Sequence, residues 1–212
     1  DRSAVAGSLS ALAELLAAIP PGRLAIIAGD EVYASQAAIE VTKLAETFGA
    51  PVYGSSWPSR IPFPTSHPLW AGNLPTKASG IAEILGAYDA IFALGGKSLI
   101  TILYSEGPAI PKDCRVYQLS ADVRDLGRTY ETPLSVVGEI KASLRTLQPL
   151  LDNATAPKRK AYAALLGEAG VPVAVHEFEG MVHGFFSLGK YFPQAVKAVE
   201  RAGDALRAAL LG

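Results

Sequence analysis

The feature that most constrains this chain is a repeated alternation. A short continuous apolar run ends in glycine, and a stretch with apolar residues at helical spacing follows. Leu9, Leu12, Leu15, Leu16 and Ile19 recur at helical spacing, and Pro20-Pro21 stops that helix. Leu24–Ala28 (LAIIA) is uninterrupted by polar residues and closes on Gly29-Asp30, the pattern of a parallel strand buried on both faces. Residues 37–48 predict a second helix, apolar at Ile39, Val41, Leu44 and Phe48, with Gly49 as its C-terminal stop. Residues 51–53 predict a second strand, 81–85 lie in a helix ended by Gly86, and 90–94 (AIFAL) predict a third strand ending at Gly95-Gly96. Residues 115–119 and 134–137 predict a fourth and fifth strand, and 140–147 open a closing helix.

Strands separated by helices make βαβ units, a parallel sheet and helices on both faces. The expected fold is therefore α/β: a Rossmann-like, doubly wound parallel sheet. Ligands of such sheets gather beyond the carboxyl ends of the strands. Here those ends are Gly29-Asp30, Gly54-Ser55-Ser56 and Gly95-Gly96-Lys97-Ser98.

Composition narrows the function classes. Apolar residues make up 50% of the 212 and charged residues 18%, enough for a sizeable core and too apolar for general disorder. The net charge of −1, from 19 basic and 20 acidic residues, favours neither a nucleic-acid nor a membrane partner. The single cysteine, Cys114, excludes an internal disulfide framework and a Cys-rich zinc site. No apolar run approaches the roughly 18 residues of a membrane-spanning helix. No basic segment followed by an apolar one opens the chain, so a cytoplasmic location is expected. Homo-oligomerisation stays open. Residue 1 is Asp1 and Met181 is the sole methionine, which suggests an excised or engineered segment whose ends need not be gene ends.

Composition shifts near Leu151. Residues 152–160 (DNATAPKRK) are polar with three consecutive basic residues, the pattern of a solvated loop or a helix start. Beyond them the sequence predicts a helix over 162–169, a strand over 171–176, a loop punctuated by Gly180 and Gly184, and a helix over 194–211. That last helix is apolar at Val196, Val199, Ala202, Leu206 and Leu210, and the whole αβα unit suits extension of the same sheet. The expected division is 1–150, a junction at 151–160, and 161–212.

Most motifs fail on their own chemistry. Gly95-Gly96-Lys97-Ser98 resembles the end of a phosphate-binding loop, but the required first glycine is replaced by Ile91 inside a strand. Leu103-Tyr104-Ser105-Glu106-Gly107 lacks the first glycine of a nucleophile elbow, which leaves Ser105 as a loop serine. No pair among His67, His176 and His183 has metal-ligand spacing. The most informative stretch is 61–72 (IPFPTSHPLWAG). Three prolines in seven positions fix an extended backbone there and hold His67 rigidly, as a packed-loop residue or as a functional one.

Three segments together resemble a known family. They are Ala50-Pro51-Val52-Tyr53, then Phe63-Pro64-Thr65-Ser66-His67-Pro68 with Gly72, then Tyr88-Asp89-Ala90-Ile91-Phe92-Ala93-Leu94-Gly95. Residues 5–150 resemble the central domain of thiamine-diphosphate-dependent enzymes, benzoylformate decarboxylase and its relatives above all. The resemblance implies a Rossmann-like sheet and makes His67 the histidine that faces the active site and assists proton transfers. It also implies thiamine diphosphate and Mg²⁺ as the parent family's cofactors. The chain itself is expected to hold none, because the activating acidic residue and the G-D-G…N cofactor motif belong to other domains. Gly29-Asp30 is followed by Glu31 with no matching asparagine, so it is not that motif.

The remainder resembles something else. Tyr162 to Val173, then Gly180-Met181-Val182-His183-Gly184-Phe185-Phe186, is similar to the C-terminal end of hormone-sensitive-lipase-type α/β-hydrolases. That resemblance makes His183 the triad histidine. The oxyanion, nucleophile and acidic segments of that family do not occur here, and a base with no nucleophile cannot run acyl transfer. Two truncated parents in one chain imply a chimera rather than a natural fusion or a misassembled sequence. The expectation is a scaffold or binding-type domain in which His67 and His183 are vestigial and no active site is complete. The rivals are part of a thiamine-diphosphate-dependent 2-oxo acid decarboxylase needing other domains, and a weak carboxylesterase using His183.

Overall fold

The computed structural model describes residues 2–168 together with Lys197, Glu200, Arg201, Ala202, Asp204 and Arg207. The chain divides into two compact units, Asp1–Arg159 and Lys160–Gly212, and every strand described belongs to the first. In chain order the elements are α1 (Ala6–Ala17), β1 (Leu24–Ala28), α2 (Asp30–Ala34), α3 (Ala38–Phe48), β2 (Val52–Gly54), β3 (Trp70–Asn73), α4 (Ala78–Leu85), β4 (Ala90–Leu94), β5 (Arg115–Ser120), β6 (Leu134–Val137) and α5 (Ile140–Glu168). A 3₁₀ turn, Val123–Asp125, follows β5.

The six strands form one sheet in the order β3-β2-β1-β4-β5-β6, and every neighbouring pair is parallel. This is the doubly wound arrangement expected, with its topological switch point between β1 and β4. Strand side chains alternate between two cores. Leu24, Ile26 and Ala28 of β1, with Phe92 and Leu94 of β4, pack under Leu9, Leu12 and Leu16 of α1, Val41 and Leu44 of α3, and Leu144, Leu147 and Leu151 of α5. Ala25, Ile27 and Ile91 face the other way, against Ile81 and Leu85 of α4 and against Ile110 and Cys114. β1 and β4 are buried along their whole length, so their sequences show no polar alternation.

Several boundaries differ from those the sequence predicts. The stretch 61–72 is not wholly loop, because its end enters β3, an edge strand with half-exposed and exposed residues in alternation. Strand β2 is shifted to Val52–Gly54. The polar segment 152–160 is neither loop nor helix start, since α5 runs through it for 29 residues from Ile140 to Glu168. Ile39, expected among the apolar positions of its helix, is 68% exposed, while Glu40 beside it is buried. The predicted strand over 171–176 lies outside the described residues. Of the helix expected over 194–211, the described residues are helical and exposed, Ala202 of its apolar stripe among them. Within the described residues no helix is long and apolar enough to cross a membrane.

Candidate functional site

The carboxyl edge of the sheet is organised by two adjacent acids. Gly29 ends β1, and its N–H donates to the Leu94 carbonyl of β4 at 2.8 Å. The next two residues, Asp30 and Glu31, open α2 and reach in opposite directions. Asp30 accepts from the Ser59 backbone N–H at 2.9 Å and from the Ser59 hydroxyl at 2.5 Å. One residue on, the Arg60 guanidinium lies 5.4 Å from the ring centroid of Tyr33 on α2. Together these contacts fasten α2 to the loop after β2.

Glu31 reaches the other way, across the switch point. Its Oε1 accepts from the Gly96 N–H at 2.9 Å and from the Ser120 hydroxyl at 2.7 Å, and its Oε2 accepts from the Ala121 N–H at 2.9 Å. The donors stand at the ends of β4 and β5, so one carboxylate joins three strand ends. The backbone is shaped for it. Gly95 has φ +92°, and a Cβ there would lie 3.0 Å from the Glu31 Cβ. A Cβ at Gly96 would overlap the Asp125 side chain. An open cleft of about 480 Å³ is lined by Arg2, Glu31, Ser35, Ala121 and Glu139 among others.

Further contacts close this edge. The Ser56 hydroxyl donates to the Ile100 carbonyl at 2.5 Å, and Ser105 Oγ accepts from the Ser79 N–H at 3.0 Å near the start of α4. Ser105 is thus a loop serine serving a helix terminus. Ser98 Oγ is buried with no hydrogen-bond partner among the described residues. The Asp122 carboxyl is lowered to about 2, chiefly by its hydrogen bond with the Arg124 side chain.

His67 lies at the opposite, amino edge. It precedes β3, and its backbone carbonyl accepts from the Trp70 N–H at 2.9 Å. Its Nδ1 accepts from the Leu69 N–H at 3.2 Å, and its Nε2 stands 3.5 Å from Oε1 of Glu46 on α3. The ring meets Phe63 edge-on at 5.3 Å, and Phe63 in turn stacks on Trp70. The structure therefore does not bring His67 to the glycine-rich strand ends. His183 lies outside the described residues, and so does His176.

Sequence reasoning locates the crevice but passes over Glu31, which enters it only to reject a cofactor motif. A usable signal is present: an acidic pair directly after the first strand end, facing a Gly-Gly at the end of the neighbouring strand. Thiamine diphosphate with Mg²⁺ is the group to test here, and the residues do not fit it. The crevice donors already hold the Glu31 carboxylate. Among the described residues no group of three or more His, Cys, Asp or Glu could hold a metal ion.

The sheet order defines a Rossmann-like α/β fold, with this crevice at its strand ends. Residues 9–147 match the thiamine pyrophosphate enzyme central domain, and the chain belongs to that family. It is 35% identical over 151 residues to a sulfoacetaldehyde acetyltransferase of Castellaniella defragrans, a match covering 70% of this chain and 25% of that protein. It is 28% identical over 155 residues to a benzoylformate decarboxylase of Pseudomonas aeruginosa, covering 70% of this chain and 28% of that one. A solved structure of a candidate thiamin diphosphate-dependent enzyme from Mycobacterium smegmatis superposes with a TM-score of 0.64 at 31% identity, over 71% of this chain and 28% of the other. The chain thus spans about a quarter of the length of the curated relatives it matches.

Proposed function

We propose that this chain is a non-catalytic α/β scaffold. Its first part is a thiamine-enzyme central domain, and residues 158–212 derive from a hydrolase C-terminus, which makes the whole a chimera. The observation that carries the reading is Glu31, whose carboxylate takes the crevice donors a ligand's anion would need. His67 acts here as a loop anchor, through its bond from Leu69 and its contact with Phe63. The hydrolase origin rests on the G-M-V-H-G-F-F segment at 180–186, and the sequence carries no G-x-S-x-G nucleophile motif to go with His183. The test is turnover of nitrophenyl esters by the full chain. Background rates, the same in His183→Ala, are expected. Turnover lost in His183→Ala would replace this reading with the esterase one.

The extent of the matches favours a second reading. The chain spans about a quarter of its relatives. In this reading the same domain is one part of a thiamine-diphosphate-dependent decarboxylase or lyase whose cofactor-binding domains lie on other segments or chains. The named relatives differ in reaction, an acetyltransferase and a decarboxylase, so the reaction class follows from those other domains. Stabilisation of the chain by thiamine diphosphate and Mg²⁺ would favour this second reading.

A further inference from the structure

We propose that the Glu31 carboxylate is the resident anion of an oxyanion cradle at the β1/β4 switch point, and that removing it opens a site for a small oxyanion such as inorganic phosphate or formate. The donors come from two strands and converge on a side chain supplied by a third element. Gly96 N–H, Ser120 O–H and Ala121 N–H reach the two carboxylate oxygens at 2.9, 2.7 and 2.9 Å, the lengths of charge-assisted hydrogen bonds. Two of them are backbone donors, fixed in place whatever residue stands at position 31. Backbone N–H groups converging in this way make an anion-binding concavity.

The surroundings leave room for the Glu31 side chain. Gly95 takes φ +92°, and a Cβ added to it would stand only 3.0 Å from the Glu31 Cβ, so the β4 end is moulded against this side chain. The open cleft of about 480 Å³ is lined by Glu31 together with Arg2, Ala34, Ser35, Ala121 and Glu139 among others. Truncating Glu31 would take the carboxylate away from the Gly96 and Ala121 N–H groups, while the Ser120 hydroxyl keeps the Asp122 carbonyl, 3.4 Å away, as its other acceptor. An unpaired donor at a partly buried site costs free energy that an incoming anion recovers. In the native chain the same geometry excludes a nucleotide's phosphates, because the donors are taken and the occupant is negative.

The experiment compares the full-length wild type, Glu31→Ala and Glu31→Gln by thermal melting in chloride, formate and phosphate at matched ionic strength. Glu31→Ala should melt lower than wild type in chloride and gain at least about 2–4 °C in formate or phosphate, the shift that a modest stabilisation produces in a chain of this size. Wild type and Glu31→Gln, whose side chains still fill the cradle, should not respond. Backbone amide shifts of Gly96 and Ala121 on phosphate titration of Glu31→Ala would locate the anion. An equal response in wild type, or none in Glu31→Ala, would overturn the proposal. If Glu31→Ala does not fold in chloride, its refolding yield is read instead: recovery in formate supports the cradle, and equal failure in both salts overturns it. The cradle shares its Glu31 observation with the scaffold reading above, and because the probes contain no thiamine its failure is distinguishable from failure of that reading, which ester turnover and thiamine diphosphate binding test.

Discussion

Cys114 stands 6% exposed on the second face of the sheet, packed with Ile110 and Val116. Burial, with the Asp89 charge nearby, pushes its thiol from 9.0 up to about 11. The folded state therefore keeps a proton that the unfolded state releases first. The stability tied to this thiol is complete below about pH 9 and is lost as pH rises toward about 11. It amounts to at most about 2–3 kcal/mol. Denaturant melts of wild type and Cys114→Ala across that window should show a steeper alkaline loss in wild type, and identical slopes would refute it. Tyr53 and Tyr130, also raised by burial, add a loss common to both proteins only above their ordinary value of 10. Before β3, His67→Ala removes the acceptor of the Leu69 N–H and the edge contact with Phe63. A loss of about 1–2 kcal/mol is expected, read as a lower Tm. An unchanged Tm would show that the proline-rich loop holds itself.

The helices and strands differ in how far their sequences disclose them. Strands β1 and β4 are buried throughout, so five apolar residues closed by glycine identify them without ambiguity. Strand β3 is hidden because an edge strand needs no apolar run, and WAGN carries a glycine at φ +88° straight after a proline-rich stretch. Helix α2 is only five residues long, too short to show periodicity. Helix α5 outruns its predicted span because Pro149 and Pro157, which each lack a backbone donor and ordinarily break a helix, are carried within it. On α3 Val41 and Leu44 are buried as expected, but Ile39 is exposed and Glu40 is buried, where Arg145 of α5 donates from Nε to its Oε1 at 2.8 Å. The other oxygen, Oε2, is buried without a partner among the described residues. Arg145→Ala should thus strand a buried carboxylate and cost about 1–3 kcal/mol. The double variant Glu40→Met with Arg145→Met should be more stable than Arg145→Ala alone, since no orphaned charge remains. Chemical denaturation of both tests this, and a double variant less stable than the single would contradict it.

At the scale of the whole molecule, the sheet order puts the first and fourth strands side by side at the switch point, the place where sheets of this kind take ligands. The alternation of apolar runs and glycines is enough to locate that edge from sequence. What it holds is not legible there, because the occupant is a single glutamate whose three donors come from residues 65 to 90 positions further along the chain. Likewise, the rigid 61–72 loop draws attention to His67, yet parallel pairing of β3 with β2 sets that residue at the amino edge. The scaffold proposed above, whose strand-end donors are taken up by its own Glu31 carboxylate, would have no cofactor chemistry of its own. Isothermal titration of thiamine diphosphate with Mg²⁺ into the full 212-residue chain tests this most directly. No saturable heat is expected, and a saturable isotherm with micromolar affinity would contradict the account.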